Sequence, residues 1–237
     1  MTAELSLLLA AAVSIGFFHT LTGPDHYLPF IVMARSGRWS MGRTALVTLL
    51  CGIGHVLGSV LLGTVGILFG IAVGRLEGFE SFRGSLAAWF MMAFGLVYLL
   101  WGVRQAFRNK PHRHFHPHPD GTVHDHRHTH KGNHIHVHEE EGRGKTTAWI
   151  LFIIFVFGPC EPLIPLLMYP AARGSIGSLI AVTGAFSLVT ICTMLGMVMI
   201  SVFGIRRIRV SGMERYSHAL AGAAVLLCGV SIQFLGL

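Results

Sequence analysis

Apolar residues run through this chain in six long blocks, separated by short polar stretches and by one long one. The blocks fall at about 4–34, 44–73, 86–107, 147–170, 177–204 and 215–236. Each exceeds the roughly 20 residues a helix needs to cross a bilayer. The pattern predicts an all-α membrane protein with six transmembrane helices. Two blocks are interrupted. The first contains FFHTLTGPDHYLPF (17–30) and the fourth FGPCEPLIPLLMYPA (157–171). Proline frees backbone carbonyls and an acid at mid-helix is costly in lipid, so both stretches are expected to line a cavity.

The two interruptions align. Gly23-Pro24 matches Gly158-Pro159, Asp25 matches Cys160, and His26 matches Glu161. Each opens a three-block half, and three crossings per half give the halves opposite orientations. The expected architecture is therefore a 3+3 inverted repeat with broken helices 1 and 4 meeting near the midplane. At 1.5 Å per residue, Asp25 and Cys160 fall about 15 and 22 Å from one membrane edge. The domains are expected to be 1–108 (first repeat), 109–146 (a polar, histidine-rich loop) and 147–237 (second repeat).

Composition supports the membrane reading: 52% of residues are hydrophobic and only 12% charged, against about 25% charged in soluble domains. The net charge of +7 is distributed by topology. The loops after blocks one, three and five hold fifteen of the eighteen Lys and Arg residues, which predicts a multi-pass inner-membrane protein with both termini outside and the long loop cytoplasmic. Nucleic acid is thereby excluded as a partner. The first eighteen residues carry only Glu4 and no basic n-region, so they are expected to be a retained helix, not a signal peptide. The four cysteines show no paired spacing, against a disulfide framework. Glycines 52, 54, 58, 63, 66, 70 and 74 are expected to let helices approach closely.

The candidate chemistry lies in the interruptions. Read from the blocks, Asp25 and Glu161 are the acids away from loops and helix ends, and no Lys or Arg falls within a span. The site therefore suits a cation. Its candidate ligands are His19, Asp25, His26, His55, Cys160 and Glu161. Imidazole and carboxylate suit nickel, cobalt, zinc, iron or manganese, and a thiolate favours the softer end. Alternatives remain for several: His19 and His55 as hydrogen-bonding groups, Cys160 as an apolar buried thiol, Glu161 as an outer partner or proton carrier. With no nucleotide-binding motif, energy is expected to come from gradients or a partner; the chain is expected to be a carrier, not an enzyme, with no permanent cofactor. Residues 111–138 hold His112, His114, His116, His118, His124, His126, His128, His130, His134, His136 and His138 in alternation. An extended chain puts alternate residues on one side, so the segment is expected to bind zinc, nickel, cobalt or copper and to lack a fixed fold without metal.

His19-Thr20-Leu21-Thr22-Gly23-Pro24-Asp25-His26 resembles the HPxxGxDH signature of HupE/UreJ-type nickel permeases, departing at Thr20. It is also similar to the HxxxxDH motif of nickel/cobalt transporters and UreH-like proteins, with one extra residue, and Gly54-His55 is similar to their second-helix Gly-His element. The resemblance implies a transporter of divalent transition metals, nickel or cobalt first, through His19, Asp25, His26 and His55. It also implies the bilayer, cytoplasmic metallochaperones or metalloenzyme maturation proteins, and a second copy as partners. GPCEPLIP resembles the proline-flanked cysteine of CcdA/DsbD-type membrane electron carriers. That resemblance implies thiol–disulfide exchange at Cys160, although the partner position in the first half is Asp25, not a second cysteine.

Overall fold

The structure, a computed structural model, describes the backbone at residues 3–108, 112–117, 123–128, 138–207 and 214–236, and side chains over 3–108, 146–207 and 215–236. Helix α1 (Ala3–Thr22) leads through a 3-10 turn (Pro24–His26) into α2 (Leu28–Ser36). Two long helices follow, α3 (Met41–Leu68) and α4 (Val73–Arg108). Strands β1 (His112–Pro117) and β2 (Val123–His128) come next, then α5 (His138–Phe157), α6 (Leu163–Ala172), α7 (Ile176–Arg207) and α8 (Ser217–Val230). The last helix continues as a π-helical turn, Ser231–Leu235.

Among the described residues, five helical stretches are long and apolar enough to cross a membrane: α1, α3, α4, α7 and α8 with its extension. Their outer faces carry Leu7, Phe18, Leu61, Leu100, Ile180, Ile200 and Leu227, all largely exposed. Apolar surface of this extent is stable against lipid, not water. The chain is therefore an all-α, multi-pass membrane bundle. Both interruptions expected from the sequence are breaks in a helix. The first separates α1 from α2, and the second separates α5 from α6.

One expected boundary is wrong in an informative way. Helix α4 begins at Val73, thirteen residues before the apolar block at 86. Glu80 and Arg83, expected in a connecting loop, lie inside it. Glu80 is fully buried, so a reading that confined intramembrane acids to Asp25 and Glu161, and found no buried arginine, must be corrected. Hydropathy averages miss an acid and a base one turn apart that cancel each other.

Within the long loop, β1 and β2 pair antiparallel with His112 opposite His128, His114 opposite His126 and His116 opposite His124. These six histidines lie on the two paired strands. His118, His130, His134 and His136 lie outside the described residues.

Packing is governed by glycine. Helices α4 and α8 meet backbone to backbone. A Cβ on Gly95 would strike the Leu226 backbone, one on Gly102 the Ala219 backbone, and one on Gly222 the Leu99 backbone. Gly229 lies against Met92 in the same way. The four glycines are spaced by seven, two turns of helix, so they fall on one face of each partner. In α3, Gly52, Gly54, Gly58, Gly63 and Gly66 each admit a neighbouring side chain or carbonyl, as expected. Gly70 instead takes a left-handed conformation (φ 62°), and Gly74 faces open space. Replacing Gly222 by leucine should therefore abolish the folded monomer or cost about 1–3 kcal/mol or more by overpacking. Gly74→Ala should be neutral, as measured by thermal unfolding of the detergent-solubilised chain.

Candidate metal centre

The first break begins with sequence chemistry. Pro24 and Pro29 have no N–H, and Gly23 precedes Pro24 in an extended conformation (φ −87°, ψ 95°) that proline imposes on its predecessor. The freed backbone groups find local partners. Gly23 N–H donates to His19 O at 3.1 Å, His26 N–H to Gly23 O at 3.1 Å, and the Tyr27 hydroxyl to Leu21 O at 3.4 Å. The tight turn brings His26 back beside His19, with ring centroids 4.8 Å apart. His55, from the middle of α3, completes the cluster at 5.0 Å from the His26 ring.

The ligand nitrogens of His19, His26 and His55 lie within 4.8 Å of one another. Nε2 of each is buried without a hydrogen-bond partner. A buried imidazole nitrogen left unpaired is costly, and three such rings with one nitrogen each inside 4.8 Å form a donor set that fits a metal ion. Around a bound ion at about 2.0–2.1 Å, neighbouring nitrogens lie about 3.3 Å apart, so the rings have to close inward on it. Asp25 Oδ1 lies 3.2 Å from His26 Nδ1. At that distance the carboxylate acts on the far nitrogen as a nearby charge, although Nδ1, like Nε2, makes no hydrogen bond of good geometry. The expected residues His19, His26 and His55 are thus together, with Asp25 behind His26.

The second break adds a wall. Gly158 sits so close to His55 that a Cβ there would lie 3.1 Å from His55 Nδ1. A cavity of about 600 Å3 extends from the three histidines along Asp25, Ser85, Gly158, Glu161 and Gln233. Glu161 therefore faces the same cavity without joining the nitrogen cluster. Cys160 does neither. Its side chain is fully buried in the apolar cluster of Ala12, Val56, Leu163 and Phe186.

What holds the second break is the pair sequence reasoning missed. Glu80 Oε2 accepts from the Cys160 N–H at 3.2 Å and from Ser59 Oγ at 3.1 Å. Glu80 Oε1 accepts from Arg83 Nη1 at 2.5 Å, and Arg83 Nη2 donates to Val156 O at 2.9 Å. One ion pair meets both a freed donor and a freed acceptor of the broken helix. Gly84, next in α4, admits the Pro159 ring at a distance that would leave a Cβ 2.7 Å from it. The signal available in the sequence was the i, i+3 spacing of Glu80 and Arg83 together with the small Gly84.

All four cysteines are free. Cys51 and Cys228 belong to one core cluster and Cys160 to another, while Cys192 is exposed. No pair of sulfurs is assembled.

Fold and site together define a multi-pass membrane protein with a broken first helix and a buried histidine cluster. A family comparison identifies the scaffold: residues 28–231 match the family described as cytochrome C biogenesis protein transmembrane region. The match covers most of the chain, and the protein belongs to this family, the CcdA/DsbD transmembrane group. No curated protein and no solved structure matches it. This overturns the resemblance to HupE/UreJ-type and UreH-like permeases, and with it the assignment as a nickel/cobalt transporter. The physical reason is that the resemblance rested on eight residues around one break, with a threonine in place of the signature's proline. A short histidine-bearing break can be carried by more than one scaffold.

Glu80→Ala should cost up to about 3–5 kcal/mol, because it removes the partner of the partly buried Arg83 and the acceptor for the Cys160 N–H. Pairing it with Arg83→Leu should restore part of that loss. Denaturant unfolding of the three variants measures both effects.

Proposed function

We propose that this chain uses its family's membrane scaffold to hold one transition-metal cation between the helices, and that it works through this ion and not through a dithiol. The observation that carries this reading is that one ring nitrogen from each of His19, His26 and His55 falls within 4.8 Å of the others, at one end of a cavity, with ring nitrogens buried and unpartnered. His19, His26 and His55 are the ligands, Asp25 orients His26, and Glu161 draws cations into the cavity. Imidazole donors suit copper, zinc, nickel, cobalt and iron. The chain binds and releases the ion and performs no covalent chemistry of its own.

The family description supplies the setting: assembly of a metalloprotein, with its maturation proteins as partners. Inner-membrane placement with the histidine-rich segment on the cytoplasmic side follows from the arginine and lysine distribution. The inverted repeat is part of the same proposal, and the contact pattern supports it. Exchanging α1–α2, α3 and α4 with α5–α6, α7 and α8 turns the α1–α7, α2–α7 and α2–α8 contacts into α5–α3, α6–α3 and α6–α4, all of which occur.

The test uses the full chain purified in detergent, with the histidines of 112–138 replaced so that they do not contribute. Equilibrated with copper, zinc, nickel or cobalt and measured by elemental analysis, it should retain one ion per chain. His26→Ala and His55→Ala should abolish retention. Asp25→Asn should weaken it about 10–100-fold, the usual effect of losing such an outer partner. Undiminished stoichiometry in His26→Ala sinks the reading.

Family membership favours a second reading, thiol chemistry at Cys160. Disulfide exchange needs two sulfurs, so that reading requires the second from a partner protein and requires the Cys160 pocket to open. It predicts that Cys160→Ser abolishes a trappable mixed disulfide. The metal reading predicts that Cys160→Ser leaves the bound ion unchanged.

A further inference from the structure

Apart from the histidine cavity, a second cavity of about 380 Å3 lies where α2 and α7 end at one membrane face. Its polar lining is cationic: Arg35, Arg38, Arg206 and the hydroxyl-bearing Ser40. Its opposite wall is apolar, formed by Ile31, Ala34, Val202 and Ile205 around the buried Trp39.

Three features make this more than the usual basic rim of a membrane protein. First, the guanidinium groups are held in place by neutral partners. Arg35 Nη1 donates to Ile205 O at 3.1 Å, and Arg206 Nη2 donates to Trp39 O. These reciprocal bonds tie the two helix ends together through neutral carbonyls. Among the described residues no carboxylate forms an ion pair with Arg35, Arg38 or Arg206. A fourth cation, Arg43, lies over the Trp39 ring, 5.1 Å from its centroid.

Second, Arg38 is the one non-glycine residue with positive φ (49°) among the described residues. It occupies the left-handed position after the α2 C-cap, where Trp39 N–H donates back to Ala34 O at 2.9 Å. Glycine is the usual residue in that position, because it has no Cβ to clash. An arginine kept in a conformation that disfavours it turns its side chain to the same cavity as Arg35 and Arg206.

Third, the cavity joins a cluster of guanidiniums to an apolar wall. Guanidinium forks match phosphate oxygens bidentately. The apolar wall at the membrane edge suits the glyceryl end of an acyl chain, and interfacial basic clusters attract anionic headgroups.

We propose that Arg35, Arg38, Arg206 and Ser40 form a binding site for a phosphate group at the membrane face, independent of the histidine centre. The phosphate bridges the end of α2 to the end of α7. Its source is either an anionic phospholipid headgroup or free phosphate.

The experiment is thermal unfolding of the full chain in a neutral detergent, titrated separately with short-chain phosphatidylglycerol, short-chain phosphatidylcholine and inorganic phosphate. A ligand that binds the folded chain raises the unfolding temperature by mass action. Phosphatidylglycerol should raise it and phosphatidylcholine should not. Arg38→Gly removes the guanidinium while relieving the backbone, so it should fold at least as well as the wild type. It should lower the apparent affinity about tenfold, the effect of losing one charge-assisted bond. Arg206→Gln should do the same. Arg75→Gln, an exposed arginine elsewhere in α4, should leave the affinity unchanged. A shift produced equally by inorganic phosphate, with the same arginine dependence, identifies free phosphate as the ligand. A shift confined to phosphatidylglycerol identifies the headgroup. Arg38→Gly and Arg206→Gln binding as tightly as wild type, or Arg75→Gln losing as much as they do, overturns the site.

Discussion

The structure depends on finding partners for backbone groups that proline releases inside a membrane. A helix that crosses lipid satisfies its own N–H and C=O groups, and a broken one does not. The first break manages locally, with the turn's own backbone and the Tyr27 hydroxyl. The second break cannot, since Pro159 and Pro162 flank Cys160 and its N–H has nowhere to turn within the loop. Glu80 takes that N–H and Arg83 takes the Val156 carbonyl, so a donor and an acceptor are met by one neutralised pair. This pair anchors the opened ends of α5 and α6, which pack closely on α3, without stranding either group.

That arrangement explains which parts of the molecule were legible in the sequence. The six apolar blocks, both breaks and the crowded glycines of α3 followed from residue type and spacing alone. His19, His26 and His55 were legible as candidates because imidazoles are rare in lipid, although nothing in the chain reveals that three rings meet. The Glu80–Arg83 pair was hidden because hydropathy sums single residues. An acid and a base that cancel in space look like two loop residues in a sum. The α4–α8 seam was hidden for a related reason. Gly95, Gly102, Gly222 and Gly229 are far apart in the chain, and their complementarity appears only when the two backbones are side by side.

Family and site point to different chemistries on one scaffold. The family is associated by description with cytochrome c biogenesis, and relatives of the CcdA/DsbD type suggest paired thiols. Here the sulfurs are dispersed and the converging groups are nitrogens. Cys160 contributes its backbone N–H, not its thiol, to the polar network, while its side chain fills an apolar cluster. Scaffold and chemistry are separable when the reacting groups sit on a short break. The rest of the bundle only has to keep that break open.

The α4–α8 seam also restricts motion. Where two helix backbones approach at glycines, sliding by one residue moves the contact about 1.5 Å and brings a side chain to the point of closest approach. The seam can open or stay shut, but it cannot creep. The two long helices are therefore a fixed spine. The half-helix α2 is anchored as well, by the Arg35–Ile205 and Arg206–Trp39 bonds that tie its end to α7.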